Sequence, residues 1–180
     1  MYFRIAALAA YLVTRVAEIC IHRSNYRVLR KAGAEELIPK LMRRYYLHSL
    51  LIIPASIIER MVVGVEPSPM AVQLGLVALS IGLLLRIWAI ASLGTQWSMR
   101  CLALTNMRAL SSGPYRFLEN PEYLSRLIDG AGMCVVLGGR VVPLLYVIVQ
   151  LVIQRCITTV EGRQLIELSH PLRNSRQSPA

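Results

Sequence analysis

Long apolar runs alternate with short polar segments along the chain, and these runs predict five helices. They cover about residues 2–21, 46–63, 70–93, 123–137 and 141–154. Several approach the roughly 20 residues that an α-helix needs to cross the hydrocarbon core of a bilayer. The segment 138–140 leaves room only for a tight turn, so the last two helices should form an antiparallel hairpin. The pattern predicts an all-α fold, an integral membrane bundle of about five transmembrane helices.

The amino-acid composition also indicates an integral membrane protein. Of the 180 residues, 55% are hydrophobic and only 17% are charged, which lies outside the usual range of globular proteins. We expect one domain over residues 1–170, with N-terminal helices to residue 92 and a core at 93–168. A polar, proline-containing flexible tail should follow at 171–180.

Basic residues are distributed unevenly, and this asymmetry orients the predicted bundle. Residues 23–44 contain seven Lys or Arg, whereas residues 61–85 contain none. The positive-inside rule then places the first loop, residues 94–122 and the segment after residue 155 in the cytoplasm. The net charge of +10 therefore indicates topology and attraction to anionic membrane lipids, rather than nucleic-acid binding.

Two pairs of opposite charges lie within predicted helices. Arg15 with Glu18, and Arg126 with Asp129, are each spaced i,i+3 on one helix face. Salt bridges that tie helices together are the simpler interpretation, and an ion path is the alternative. The four cysteines have no metal-ligand spacing, so no metal site is predicted.

Residues 113–124, Gly-Pro-Tyr-Arg-Phe-Leu-Glu-Asn-Pro-Glu-Tyr-Leu, form a polar segment between apolar runs. We call it the motif segment. Pro121 suits the first turn of a helix, whose free amides can bind an anionic group. Tyr115 and Tyr123 offer hydroxyl donors and aromatic faces for a cation or an adenine ring. The alternative is an interfacial aromatic belt.

A second polar piece, residues 155–163, follows the last apolar run. Arg155 suits either a ligand or snorkelling to headgroups. Glu161 is an acidic residue in an otherwise basic stretch, so it is either a functional carboxylate or a solvated charge. If the helix continues, both side chains could approach a common ligand from neighbouring turns.

The motif segment resembles the signature of the isoprenylcysteine carboxyl methyltransferase family, Gly-Pro-Tyr-x-x-x-Arg-His-Pro-x-Tyr. The resemblance extends upstream through Leu93-Gly94-x-x-Trp97-x-x-Arg100 and downstream to the closing Arg155 and Glu161. Shorter N-terminal matches are similar to a bacterial branch often encoded beside type III polyketide synthases: Arg15-x-x-Glu18, Arg23-Ser24-Asn25, Gly33-Ala34-Glu35-Glu36 and Leu47-His48. That branch O-methylates long-chain alkylpyrones or alkylresorcinols.

The resemblance implies a helical-bundle methyltransferase in the bacterial plasma membrane that uses S-adenosylmethionine in a cytosol-facing pocket. The acceptor would be a lipophilic small molecule, and a polyketide synthase could be a genomic neighbour. The implied cofactor-binding residues are Gly113, Tyr115, Asn120, Pro121, Tyr123 and Leu124. Glu161 and Arg155 are the implied catalytic residues, and Trp97 and Arg100 the implied acceptor-binding residues.

Two departures from the family pattern bear on function. Glu119-Asn120 replaces the Arg-His pair, and Gly162 replaces the second C-terminal Glu. Asn120 can donate a hydrogen bond, but it cannot titrate. The preferred acceptor is a phenolic or pyrone hydroxyl, and an isoprenylcysteine or other lipid carboxylate is the alternative. A non-catalytic membrane scaffold is the second alternative.

Overall fold

The computed structural model describes residues 2–36, 39–99, 102–103 and 112–175, with side chains except at 35, 39–41, 43–44, 103 and 161–175. Five long helices dominate it: α1 (Tyr2–Lys31), α2 (Pro39–Val63), α3 (Pro69–Leu93), α4 (Pro121–Leu137) and α5 (Val142–Ser175). Short 3₁₀ helices occupy Gly94–Gln96 and Gly113–Arg116. The predicted all-α membrane bundle is confirmed.

Four stretches of the described chain are long and apolar enough to cross a membrane: Tyr2–Lys31, Tyr45–Val63, Pro69–Gln96 and Val142–Val160. The remaining long helix, α4, has 17 residues, which corresponds to about 26 Å of axial length. It occupies the interior of the bundle, since ten of its residues are buried.

Three helices extend beyond their predicted bounds. The chain becomes polar at these positions while its backbone is still helical, so hydropathy underestimates the length of the helices. Helix α1 continues to Lys31 and ends before Gly33, whose φ is +89°. Helix α2 begins at Pro39 rather than Tyr46, as expected of a proline in a first helical turn. Helix α5 runs to Ser175, five residues into the predicted tail.

Helices α3 and α4 approach closely through small residues. A Cβ on Gly82 would lie 2.5 Å from the backbone nitrogen of Asp129, and one on Gly132 would lie 2.6 Å from that of Leu79. Such contacts are typical of helix pairs in membranes, where packing replaces the hydrophobic effect. The glycines therefore fix α4 against α3, and with it the start of α4.

One end of the bundle holds the predicted tight turn. Gly138 takes a left-handed φ of +99° after α4, and α5 starts at Val142. The Glu59 carboxylate of α2 accepts hydrogen bonds from the backbone amides of Arg140, Val141 and Val142 at 3.0, 2.7 and 3.0 Å. The predicted antiparallel hairpin is confirmed, and we call this the hairpin end.

The opposite end, which we call the motif end, collects the loops between α1 and α2 and between α3 and α4. Two-residue strands β1 (Glu35–Glu36) and β2 (Leu102–Ala103) pair there in antiparallel register. The Asn25 side-chain amide of α1 donates to the carbonyl oxygens of Gly94 and Trp97, both at 2.9 Å. These contacts join the end of α1 to the loop that follows α3.

Candidate functional site

The motif segment begins with a tight turn that packs on α3. Gly113 has a φ of +62°, and a Cβ there would lie 2.0 Å from the Ser92 hydroxyl oxygen. Both the backbone conformation and the space therefore require glycine. The next residue, Pro114, is buried, and its carbonyl accepts from the amides of Phe117 and Leu118 at 3.1 and 3.0 Å.

Tyr115 lies half-buried in this turn. Burial, with the Glu122 carboxylate nearby, raises the pKa of its hydroxyl above the ordinary value. The group therefore stays protonated at neutral pH and can donate a hydrogen bond.

Helix α4 starts within the motif segment, as the sequence predicts. Asn120 is its N-cap residue and Pro121 occupies the first turn. The Asn120 side chain makes no capping hydrogen bond to the helix it begins. Its amide can therefore serve a ligand instead of the backbone. Pro121 is buried and Leu124 partly buried, whereas Glu119 is exposed.

Tyr123 connects the motif segment to α2 and α5. Its ring packs edge-on against Tyr45 of α2, with ring centroids 5.7 Å apart. It also packs on the buried cluster that includes Ile157, to which Val160 of α5 contributes. The motif segment and the part of α5 that leads to Glu161 therefore pack on one buried cluster.

Arg155 and Glu161 both lie on α5, and the structure describes the side chain of Arg155 but only the backbone of Glu161. The Arg155 side chain is exposed. The backbone of Glu161 lies in the helix, directly after Val160, and its side chain lies outside the described part, as does all of Arg100. The assignments of all three residues stay predictions.

Trp97 is buried, with 1% of its surface exposed. Its indole N–H donates to the Glu122 carboxylate at 3.1 Å. The other carboxylate oxygen of Glu122 accepts from Arg126 at 3.1 Å. Trp97 thus positions the motif segment in this structure, and its predicted contact with the acceptor stays a prediction.

Beneath the motif segment, six charged side chains form a buried ionic network of Arg15, Glu18, Arg86, Glu122, Arg126 and Asp129. Arg15 contacts both Glu18, at 2.9 Å, and Asp129, at 2.6 Å. Arg86 likewise contacts Glu18 at 3.2 Å and Asp129 at 3.0 Å. Three positive and three negative formal charges balance, which lowers the cost of burying them.

The network confirms one predicted salt bridge, but the predicted pairing of Arg126 with Asp129 is wrong, because Asp129 pairs with Arg15 and Arg86 on other helices. Arg15 pairs with Glu18 within α1, as expected, while Arg126 pairs with Glu122 within α4 and lies 3.8 Å from Glu18. Sequence reasoning missed Arg86, although an arginine in the most apolar helix was a usable signal.

Sequence reasoning also missed His22 and Asn25 as supports of the motif end. The His22 Nδ1 accepts a hydrogen bond from the Met99 amide at 3.2 Å, and Asn25 holds the same loop. In the sequence analysis, only the N-terminal resemblance drew attention to Asn25. No local pattern could reveal its partners, which lie about 70 residues away along the chain.

A cleft with a volume of about 380 Å³ separates α1 from α3. Its walls are mostly apolar and include Ala17, Ile21, Ile90 and Ala91, and its lining also contains Glu18 and Arg86. The described side chains include no group of three His, Cys, Asp or Glu that could hold a metal ion.

Comparison with known proteins identifies a family and a relative that aligns over most of both chains. Residues 73–167 match the model of the isoprenylcysteine carboxyl methyltransferase (ICMT) family. The uncharacterized protein YpbQ of Bacillus subtilis (strain 168) is 26% identical over 165 residues, which cover 89% of this chain and 88% of that protein. No solved structure matches the chain.

Proposed function

The chain belongs to the isoprenylcysteine carboxyl methyltransferase family, and we propose that it is an S-adenosylmethionine-dependent O-methyltransferase with a lipophilic acceptor. The family and the four apolar helices identify an integral membrane protein of the methyltransferase kind. The finer proposal is that the acceptor carries a phenolic or pyrone hydroxyl on a long-chain polyketide. It includes a bacterial plasma membrane location with the motif end facing the cytoplasm.

The observation that carries the proposal is that the motif segment and α5 pack on the same buried cluster. Tyr123 and Val160 pack on the same buried cluster, which includes Ile157, and Glu161 directly follows Val160. A methyl donor and an acceptor must be held with the reacting atoms about 3–3.5 Å apart. In the proposal, the motif segment and α5, which pack on one cluster, would hold the two groups at this separation.

The residues present fit S-adenosylmethionine. The uncommitted Asn120 amide and the first amides of α4 suit its carboxylate. The Tyr115 hydroxyl can donate to a polar atom, and the Tyr123 ring offers an aromatic edge. When bound, the cofactor supplies a methyl group on a positively charged sulfur.

The chain's own contribution would be positioning and exclusion of water, which together can supply several kcal/mol of barrier reduction. A hydroxyl acceptor also gains from a general base, and Glu161 takes that role in the proposal. Arg155 would orient the acceptor. A carboxylate acceptor needs no base, because it is already ionised.

The test uses the full chain purified in detergent. Binding of S-adenosylmethionine is measured by calorimetry, and transfer of a radiolabelled methyl group is measured with long-chain alkylresorcinols, alkylpyrones and isoprenylcysteine. We expect binding and transfer to the hydroxyl acceptors. Transfer to carboxylates alone would overturn the acceptor choice, and binding without any transfer would favour the scaffold.

A matched pair of variants tests the general base. Glu161→Gln should slow methylation of a hydroxyl acceptor by about 100-fold or more while cofactor binding changes little. Glu167→Gln changes an acid six residues further along α5 and serves as the control. Equal losses of binding and transfer in Glu161→Gln would make Glu161 a cofactor ligand instead.

A further inference from the structure

Another cavity lies at the hairpin end, between α1, α2 and the end of α4, with a volume of about 430 Å³. That volume falls within the roughly 300–1,000 Å³ typical of small-molecule pockets. Its lining has a charged part and an apolar part, and both are accessible. The charged residues are Arg4, Arg60 and Glu66, and the apolar residues are Ile5, Leu8, Ile57 and Leu137. We call this cavity the hairpin-end groove.

Two arginine side chains converge on one anionic group in the groove. One oxygen of the Glu66 carboxylate accepts from Arg4 at 2.6 Å. The other oxygen accepts from Arg60 Nε at 3.0 Å and also from Arg60 Nη2. The planar guanidinium binds carboxylate and phosphate with the same two-pronged geometry. The two guanidinium groups are therefore placed to hold a phosphate between them.

Glu66 does not close the groove to an external anion. Its side chain is 62% exposed and belongs to the non-helical loop 64–68. A guanidinium group has five N–H donors, and Glu66 uses one donor of Arg4 and two of Arg60. Two positive charges in the lining face one negative charge, so one positive charge is unbalanced. A phosphate can take the place of the Glu66 carboxylate while that carboxylate turns to water.

Both arginines are held in position by the bundle. A Cβ on Gly138 would lie 2.8 Å from Cδ of Arg60, so the aliphatic stem of Arg60 packs on the turn after α4. The Arg4 side chain is only 19% exposed. Cations that are already ordered lose little conformational freedom when a ligand binds, which favours affinity.

The apolar part of the groove lies deeper in the bundle than the arginines. Helix α1 begins at the hairpin end and α2 finishes there, so Leu8 and Ile57 both lie on the inner side of the arginine of their own helix. The separations of four and three residues correspond to about 4.5–6 Å of helix rise. An anionic head at the arginines and a hydrocarbon chain beneath it match this order.

From these observations we infer that the hairpin-end groove binds an anionic phospholipid, with the phosphate between Arg4 and Arg60 and one acyl chain along the apolar part. A soluble anion would use the arginines but leave the apolar part uncovered. Basic pockets between membrane helices bind anionic headgroups in this way. A zwitterionic lipid fits less well, because its own cation cancels the charge that the arginines attract. The inference is independent of methyl transfer.

The experiment uses the full chain in phosphatidylcholine vesicles that contain a trace of photoreactive lipid. The probe is phosphatidylglycerol or phosphatidylcholine with a diazirine on the same acyl chain, and mass spectrometry identifies the labelled peptides. Phosphatidylglycerol should label the segments around Leu8 and Ile57 at least about fivefold more, since one arginine near the membrane surface favours an anionic lipid by about that factor. Equal labelling by the two probes would overturn the inference.

Three variants separate a specific site from general attraction to anionic lipid. Arg60→Gln should reduce the preference for phosphatidylglycerol to less than about twofold. Glu66→Gln should raise it by about twofold or more, because it removes the competing carboxylate. Arg140→Gln is the matched control and should retain the preference, since Arg140 is exposed at the same end but lies outside the lining of the groove.

The variants have opposite expected signs, which makes the test strict. A preference that Arg140→Gln reduces as much as Arg60→Gln does would overturn the site and leave only diffuse attraction. An unchanged or lower preference in Glu66→Gln would also contradict the inference. Labelling by phosphatidylglycerol that excess inorganic phosphate removes would replace the lipid with a soluble anion.

Discussion

Replacing Asp129 by Asn tests the buried ionic network most severely. The Asp129 side chain is fully buried and contacts Arg15 at 2.6 Å and Arg86 at 3.0 Å. Without its charge, the network would hold three arginines and only two acids. Breaking a buried ion pair on one side typically costs about 3–5 kcal/mol, and we expect Asp129→Asn to lower the free energy of unfolding by that amount.

Cys134 provides the assay, because its thiol is fully buried in the same helix. Labelling by a thiol reagent in mild detergent requires the bundle to open, so its rate follows the population of open forms. A loss of 3–5 kcal/mol should accelerate labelling by more than about 100-fold. The exposed Cys20 should react at an unchanged rate and serves as an internal control.

A double variant separates charge balance from packing. Arg15→Met with Asp129→Asn restores equal numbers of positive and negative charges in the network. Its destabilisation should therefore be smaller than the sum of the two single variants by about 2 kcal/mol or more. Labelling of Cys134 that rises less than tenfold in Asp129→Asn, or strictly additive effects, would refute the reasoning.

Three further predictions concern other contacts. In a Trp88→Phe background, Glu122→Ala should shift Trp97 emission to the red and cost about 1.5–3 kcal/mol, because Trp97 and Arg126 lose a charged partner; unchanged emission would contradict this. Glu59→Ala should cost about 1 kcal/mol and speed hydrogen exchange at the start of α5, since three amides lose their acceptor; protection equal to wild type would contradict it. Hydrogen bonds from Arg4 and Arg60 lower the pKa of Glu66 below its ordinary 4.5, so its contribution to stability is present above that pH and falls as the pH drops through the lowered value. Thermal unfolding of Glu66→Gln should therefore be less sensitive to acid than that of wild type, and parallel pH profiles would show that the contacts contribute nothing.

The sequence predicted the elements of the fold better than their ends. Apolar runs located all five helices, and the glycines at 138–139 located the hairpin turn. Hydropathy could not show that α1 continues to Lys31, because a helix leaving the membrane becomes polar without ending. Gly33 and Pro39 were the better boundary signals.

The candidate site was predictable where its parts are local. Pro121 marked the start of α4, and Gly113 marked a turn that only glycine fits. The supports of that turn were not predictable from spacing, because they come from distant helices. Arg86, for example, completes the network across 68 residues from Glu18.

The most direct measurement of the central claim is photo-crosslinking of radiolabelled S-adenosylmethionine to the purified chain, with labelled peptides identified by mass spectrometry. The account predicts label in two segments, residues 113–124 and residues 155–161, and competition by unlabelled cofactor. Label confined to one of these segments, or found only at the hairpin end, would contradict a methyl donor held between the motif segment and α5.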